Sequence, residues 1–567
     1  MLLISIIGNG VAQSIPSSVI DINNVRGTVL GIGSSYSSIL GNELTWEVPK
    51  GSGNSPLFQY SLWLGGKDIN DQIHVAANLY NQNGRDYWMG PLMLNYAQTN
   101  AMVEYSYEYI WNVTREQIDD FIANHGQPGY VIPNDILTWP AHGDASMGFA
   151  SNLAPFVDVN GDGHYDAEDG DYPDILGDQC LYFIFNDKRS HTESNGEDLG
   201  IEVQAMVYAY DAPSDDILDN TVFFHYDIIN RSTMTYPQFY VGIWNDWNIG
   251  YAQDDYAGCN VRLGACYGYN SSAVDGNGEP GTYGDNPPVQ LCSLLAGPYK
   301  AGNGLDDVSY AGDCNGYDSY FYMGYDNGIV DDERLGLYRF FVQSDEIVNM
   351  GDPENAQQIY RMFQGYWKDG ERVQFGGNGY PGGDGVVGPN CNFMFPLDTD
   401  PCNFGTNGIL PNGGYNVGNL FWSESISNNN PGDRKGLAVT GPFYFRPDMS
   451  QPLDFAFTTV WETDTQSALD RIEEAVLAVR EKFENEQYWS VAERPWKEDR
   501  LLRVYPNPST GPVMLEGTGQ YTVTNTFGQR IAMGDINGET TLVLPTGLYF
   551  VRLENGKGSC VRKIIVK

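Results

Sequence analysis

Four apolar-rich runs in the middle of the chain constrain its fold more than any other feature. They are Cys180-Leu181-Tyr182-Phe183-Ile184-Phe185, Ile201 to Tyr208, Thr221 to Ile229 and Phe239 to Trp244. β-Branched and aromatic residues dominate each run, a composition that favours strands over helices. Their length predicts a central antiparallel sheet. Further runs of the same kind precede them at Glu43–Pro49, Phe58–Gly66 and Ile73–Ala77, each closed by Gly, Asn, Asp or Pro. Residues 14–150 thus read as an N-terminal β-rich domain and residues 151–450 as a central β-sandwich domain. From 250 to 435 Gly, Asn, Asp, Pro and Tyr prevail, which predicts long ordered loops over the sheet.

Few helices are signalled. Thr114 and Gln117 form a capping box, Ile118, Phe121 and Ile122 an apolar stripe, and Gly126 a stop. A second helix is expected with Asp352 as N-cap, Pro353 in its first position and Gly365 after its end. The third and longest spans Ser467 to Glu486, with Leu469, Ile472, Val476, Val479 and Phe483 on one face, as suits a helix docked on a sandwich. The charged segment Glu493 to Arg500 then reads as a linker, so residues 451–500 are helix and linker.

The tail, residues 501–567, has its own pattern. Val513-Met514-Leu515, Tyr521-Thr522-Val523 and Thr541-Leu542-Val543-Leu544 are short alternating runs broken by Gly and Asn. Such spacing predicts a small sandwich of about 70 residues. Tyr505-Pro506-Asn507-Pro508-Ser509-Thr510-Gly511 opens it, Asn525-Thr526-Phe527-Gly528 turns it, and Gly547-Leu548-Tyr549-Phe550-Val551-Arg552-Leu553 closes it before a basic end. These motifs resemble the type A C-terminal sorting domain of the Bacteroidetes type IX (Por) secretion system. The resemblance implies an address label, recognised by the outer-membrane export machinery and commonly removed after transit. It also implies an Ig-like fold for the tail and, for the protein, an extracellular or outer-membrane surface location reached through the periplasm. Segments of the body, among them Ser61-Leu62-Trp63-Leu64-Gly65-Gly66 and Ile229-Asn230-Arg231-Ser232, resemble large secreted proteins carrying the same tail. That second likeness bears on location and not on chemistry.

The fold class is therefore mainly β: an antiparallel β-sandwich ectodomain with long ordered loops and a few helices, plus a small C-terminal Ig-like β-sandwich. Residues 1–13 read as a signal peptide with a truncated start, because Met1 to Ala12 has an apolar core and a small-residue exit but no basic n-region. A buried first strand is the other reading of that stretch. No run approaches the roughly 18 apolar residues of a membrane span. With 73 acidic and 31 basic residues the formal charge is −42, a field that repels nucleic acid and anionic membrane surfaces. Such acidity is either a solvated surface or, in an exported protein, partly a set of calcium ligands. Cys259 with Cys266 and Cys391 with Cys402 each bracket a short loop and are plausible disulfide pairs.

One local motif stands out. Asp158-Val159-Asn160-Gly161-Asp162-Gly163-His164-Tyr165-Asp166-Ala167-Glu168-Asp169 matches the D-x-N-x-D-G calcium loop. A hard cation needs several oxygens converging at about 2.3–2.6 Å, and this spacing wraps them around one ion. Asp158, Asn160, Asp162, Asp166 and Asp169 would supply side-chain oxygens, and His164 its backbone carbonyl. An acidic surface turn is the alternative. Asn245-Asp246 with Asp254-Asp255 form a second oxygen-rich set, readable as another calcium site or as ordinary Asx turns.

Zinc-helix, nucleophile-elbow and P-loop motifs are missing, and the six histidines show no metal-ligand spacing. Trp244-Asn245-Asp246-Trp247-Asn248 and Gly365-Tyr366-Trp367-Lys368-Asp369 put aromatic planes beside acids and amides. They either line a glycan-binding face or pack loops onto the sheet. The sequence thus points to a calcium-stabilised structural, adhesive or glycan-binding module of the cell surface. The alternative is an extracellular hydrolase acting on polysaccharide.

Overall fold

The computed structural model describes residues 15–36, 44–94, 96–308, 323–383, 385–400, 402, 421–493, 502–505, 509, 511–525, 529–555 and 558–567. The stretch read as a signal peptide, residues 1–13, most of the expected linker and Pro506 to Pro508 lie outside that set. The chain folds as two compact units, Met1–Arg480 and Glu481–Lys567.

The body is built on two antiparallel sheets. The first runs in the order Ser17–Ile20, Arg26–Leu30, Ser34–Ser35, Leu57–Lys67, Tyr236–Trp247, Arg434–Phe445, Arg339–Gln343. The second runs Asp255–Asn260, Ala265–Asn270, Val289–Ala296, Ser450–Val460, Thr221–Asn230, Ile201–Ala209, Gln179–Asn186, Trp88–Met89. The four runs that dominate the sequence are strands, but they fall in both sheets. Gln179–Asn186, Ile201–Ala209 and Thr221–Asn230 are neighbours in one, while Tyr236–Trp247 crosses to the other. Early and late strands are interleaved: Leu57–Lys67 pairs with Tyr236–Trp247, and Trp111–Thr114 with Gln179–Asn186. The expected boundary at residue 150 therefore does not divide the body. The early strands satisfy their backbone N–H and C=O groups on partners far along the chain.

The two sheets meet through aromatic side chains. Tyr60 of the first lies 5.3 Å from Phe224 and 5.2 Å from Phe457 of the second, ring centroid to centroid. Phe224 in turn stacks on Phe455 at 4.5 Å. Burying one such side chain stabilises the fold by roughly 1.5–3 kcal/mol, so this seam fixes which face of each sheet turns inward.

Thr114 caps the helix Arg115–Asn124 through the expected reciprocal bonds with Gln117, and Ile118 and Phe121 are its buried face. The second helix is Ala356–Phe363, capped by Asn355 rather than by Asp352. Asp352 instead takes the Lys435 ammonium at 3.0 Å, which removes it from the cap. A short 3-10 turn, Leu469–Arg471, leads into the helix Ile472–Glu493, whose Ile472, Val476, Val479 and Phe483 are buried while Leu469 is exposed.

Neither expected disulfide forms. Cys259 and Cys266 face each other on adjacent strands as free, buried thiols, and Cys391 is also free, whereas Cys402 is disulfide-bonded. The Cys259 thiol donates to the Met394 carbonyl at 3.3 Å and is used as a small core residue.

In the tail Val513–Asn525 is one long strand, not two short ones. Arg530–Leu542 pairs along one edge; Leu502–Tyr505 and Gly547–Asn555 share the other, and Gly558–Val566 closes the five-stranded sheet. Val513, Leu515, Val523, Val551, Leu553 and Ile564 form its own core.

Candidate functional site

The 158–169 loop has the turn a calcium loop needs. Asp158 accepts from the backbone N–H of Gly161 at 2.6 Å and of Gly163 at 2.8 Å, and both glycines have positive φ, 77° and 83°. Asn160 accepts from Asp162 N–H, Asp162 from His164 N–H and Asp166 from Glu168 N–H, each at 2.8–2.9 Å. Asp171, which lies beyond the motif, is fully buried and accepts from Val159 N–H at 2.8 Å and Asp166 N–H at 3.0 Å. It pins both ends of the loop, and its position after Asp169 hid it from a twelve-residue template. The donors are hard oxygens on a chain reversal. However, among the described residues no three His, Cys, Asp or Glu side chains are arranged to hold a metal ion.

The second oxygen-rich set is dispersed. Asn245 and Asp246 follow each other on the strand Tyr236–Trp247 and so point to opposite faces of its sheet. Asp246 is buried, and its carboxyl is raised well above the usual range by burial and by Asp433, with Lys435 partly offsetting them. Asp255 accepts from Ile249 N–H at 2.9 Å and Asp254 from Gly276 N–H at 3.0 Å, so this pair braces backbone. The tryptophans of the two aromatic stretches, Trp244, Trp247 and Trp367, are fully buried and pack the core. Tyr366 is different.

Tyr366 lines a cavity of about 530 Å³ formed where the helix Ala356–Phe363 and the loop after it cross the outer face of the first sheet. Two glycines make the crossing possible. A Cβ on Gly65 would meet the Phe363 ring at 2.5 Å and one on Gly242 would meet it at 2.8 Å, so the helix sits directly on backbone. Phe363 stacks on Tyr240, whose ring lies 6.0 Å away at an interplanar angle of 6°. Tyr240 and Tyr338 complete the aromatic lining.

Three arginines share this cavity. Arg339, at the start of Arg339–Gln343, lies over the Tyr338 ring at 4.4 Å and donates to the Tyr338 hydroxyl at 3.1 Å and to Asn392 Oδ1. Arg372 lies over Tyr366 at 5.1 Å and donates to the carbonyls of Gln364 (2.7 Å), Gly365 (2.6 Å) and Cys391 (3.1 Å). Arg361, in the last turn of the helix, donates to the Lys368 carbonyl at 2.7 Å. Burial, and then the nearby Arg339, push the Arg372 guanidinium down to about 10. Among the described residues no carboxylate lines the cavity and none of the three arginines is ion-paired. Of these residues only Tyr366 was singled out by sequence. The others come from two strands, a helix and a loop, so no local spacing announces them.

Residues 503–567 match the family model described as a secretion system C-terminal sorting domain. The chain is thus a type IX secretion cargo protein, and its tail is the part the export machinery engages. It is exported to the cell surface or extracellular space. No helix among the described residues is long and apolar enough to cross a membrane. No curated protein matches the chain. A solved polysaccharide lyase aligns with 74% of this chain and 37% of its own length, at 7% identity and a TM-score of 0.18. That likeness is too distant to bear on fold or chemistry.

Proposed function

We propose that the exported body is a saccharide-binding module of the cell surface and that the arginine–tyrosine cavity is its binding site. The observation that carries the reading is the lining itself. Tyrosine rings offer planes for sugar faces, while the guanidiniums, Gln357 and Gln364 offer donors and acceptors for hydroxyls. The volume falls within the roughly 300–1,000 Å³ of small-molecule sites. Glycoside hydrolysis by its usual route uses a pair of carboxylic acids flanking the bond, and the described lining has none, which favours binding over that hydrolysis.

The test is a glycan array and a polysaccharide-digestion assay on the full chain. Binding without released product is expected, and Tyr366→Ala should weaken it about tenfold, the roughly 1.4 kcal/mol of one lost stacking partner. Released oligosaccharide would replace this reading with the hydrolase alternative.

In this proposal the 158–169 loop takes calcium as a structural ion, with Asp158, Asn160, Asp162, Asp166 and Asp169 as side-chain ligands and His164 through its carbonyl. Export would begin with residues 1–13 as a signal peptide and pass through the periplasm. Deleting residues 501–567 is then expected to trap the protein there. Normal export of the truncated chain would contradict it.

A further inference from the structure

Several buried cations elsewhere in the body have acidic partners. Arg231 meets Glu202 at 2.9 Å, Arg334 meets Asp454 at 2.9 Å, Arg434 meets Glu424 at 3.0 Å and Lys435 meets Asp352 at 3.0 Å. With 73 acids to 31 bases, carboxylates are the most abundant partners this chain can offer. Yet, among the described residues, three guanidiniums gather in one cavity without one. Two acidic neighbours are engaged elsewhere: Glu354 takes Lys368 at 2.8 Å, and Asp369 takes the Tyr380 hydroxyl at 2.6 Å.

Gathering like charges in a half-buried site is unfavourable unless something of opposite sign is to enter it. The arginines are also held ready. Carbonyls fix Arg372 and Arg361, and a ring face fixes Arg339, yet none of these contacts neutralises charge. A guanidinium carries five N–H donors. Arg339 Nε has no partner among the described residues, and Arg361 uses a single nitrogen.

We propose that the ligand is an acidic saccharide, whose carboxylate or sulfate group is taken by Arg339, Arg361 and Arg372 while its ring lies against tyrosine. This rests on the saccharide reading above and adds the charge. Bidentate guanidinium–oxyanion bonds are among the strongest polar contacts available to a protein. The site would also impose selection, since the net charge of −42 makes the chain as a whole repel polyanions.

Calorimetric titration of the full chain tests it with oligosaccharides of matched length in three forms: neutral, uronic-acid-bearing and sulfated. Sodium acetate and sodium sulfate serve as free anions. At least one acidic form should bind about tenfold or more tightly than the neutral one, and the preferred form identifies the anion. That gap should shrink between about 0.15 M and 1 M salt, as the Debye length falls from about 8 Å to 3 Å. Arg361→Gln, on a half-buried helix side chain, should close the gap with folding intact; the salt series on the unaltered chain tests the same point without a variant.

Equal affinity for neutral and acidic forms would overturn the charge inference and leave the saccharide reading standing. Sulfate or acetate alone binding as tightly as the oligosaccharides would overturn both, as would no binding of any saccharide.

Discussion

Arg434 and Arg372 present the same side chain in opposite settings. Arg434 is buried and gripped by Glu424, with Nε to Oε1 and Nη2 to Oε2 both at 3.0 Å, and Glu424 also accepts from Ala257 N–H. Arg372 is half-buried and, among the described residues, is held by carbonyls, an amide oxygen and the Tyr366 ring. The first arrangement is complete within the chain. The second leaves a positive charge to be completed from outside, and it does so beside two more like it. Whether charge is compensated internally, rather than how many charges a region has, separates scaffold from site here.

The largest way to sharpen that contrast is Glu424→Ala, which strands the Arg434 charge in the core. It is expected to destabilise the body by about 3–5 kcal/mol in urea unfolding, the cost typical of breaking a buried ion pair from one side. Arg361→Gln, by comparison, should cost only about 0.5–1.5 kcal/mol, that of one lost hydrogen bond to the Lys368 carbonyl. Equal stability losses from the two variants would erase the distinction drawn between them.

The acidic loop offers a second comparison. If it takes calcium, saturating metal at about a hundredfold excess over its dissociation constant should stabilise the fold by roughly 2.7 kcal/mol. Asp158→Ala with Asp162→Ala should abolish that gain in a thermal melt with and without chelator. Identical melts for the unaltered chain in both conditions would show that the loop is held by its Asx turns and by Asp171 alone.

A comparable effect comes from His225 on the second sheet, whose Nδ1 lies 2.6 Å from Asp454 Oδ1 and whose Nε2 lies 3.6 Å from Asp227 Oδ2. Burial pulls its pKa down, but Asp454 and Asp227 more than offset that and raise it from 6.5 to about 9. The folded value lies above the unfolded one. The pair's stabilisation is therefore complete below about pH 6.5 and lost as pH rises through about 9. Unfolding free energy should fall across that window by on the order of 3 kcal/mol, and His225→Gln should flatten the slope. A slope unchanged by the substitution would assign it to other groups.

The sequence made the strands legible because alternation and β-branched content are local properties, as in Ile201–Ala209 and Thr221–Asn230. Pairing was not legible. Nothing local says that Tyr236–Trp247 leaves its sequence neighbours for Leu57–Lys67, and this crossover is what merges the expected domains into one body. The tail was recognisable because its motifs are contiguous. The cavity was not, because Arg339, Arg361 and Arg372 belong to different elements that meet only where Phe363 settles on Gly65 and Gly242. The disulfide pairs suggested by short loops failed for a related reason: spacing in sequence does not report which thiols the sheet buries as free core residues.

The most direct measurement is a crystal structure of the full chain with an acidic oligosaccharide that it binds. The account predicts the sugar in the cavity between Tyr338 and Tyr366, with its anionic group within about 2.7–3.2 Å of guanidinium nitrogens. A bound sugar seated elsewhere on the body, with the three arginines untouched, would contradict it.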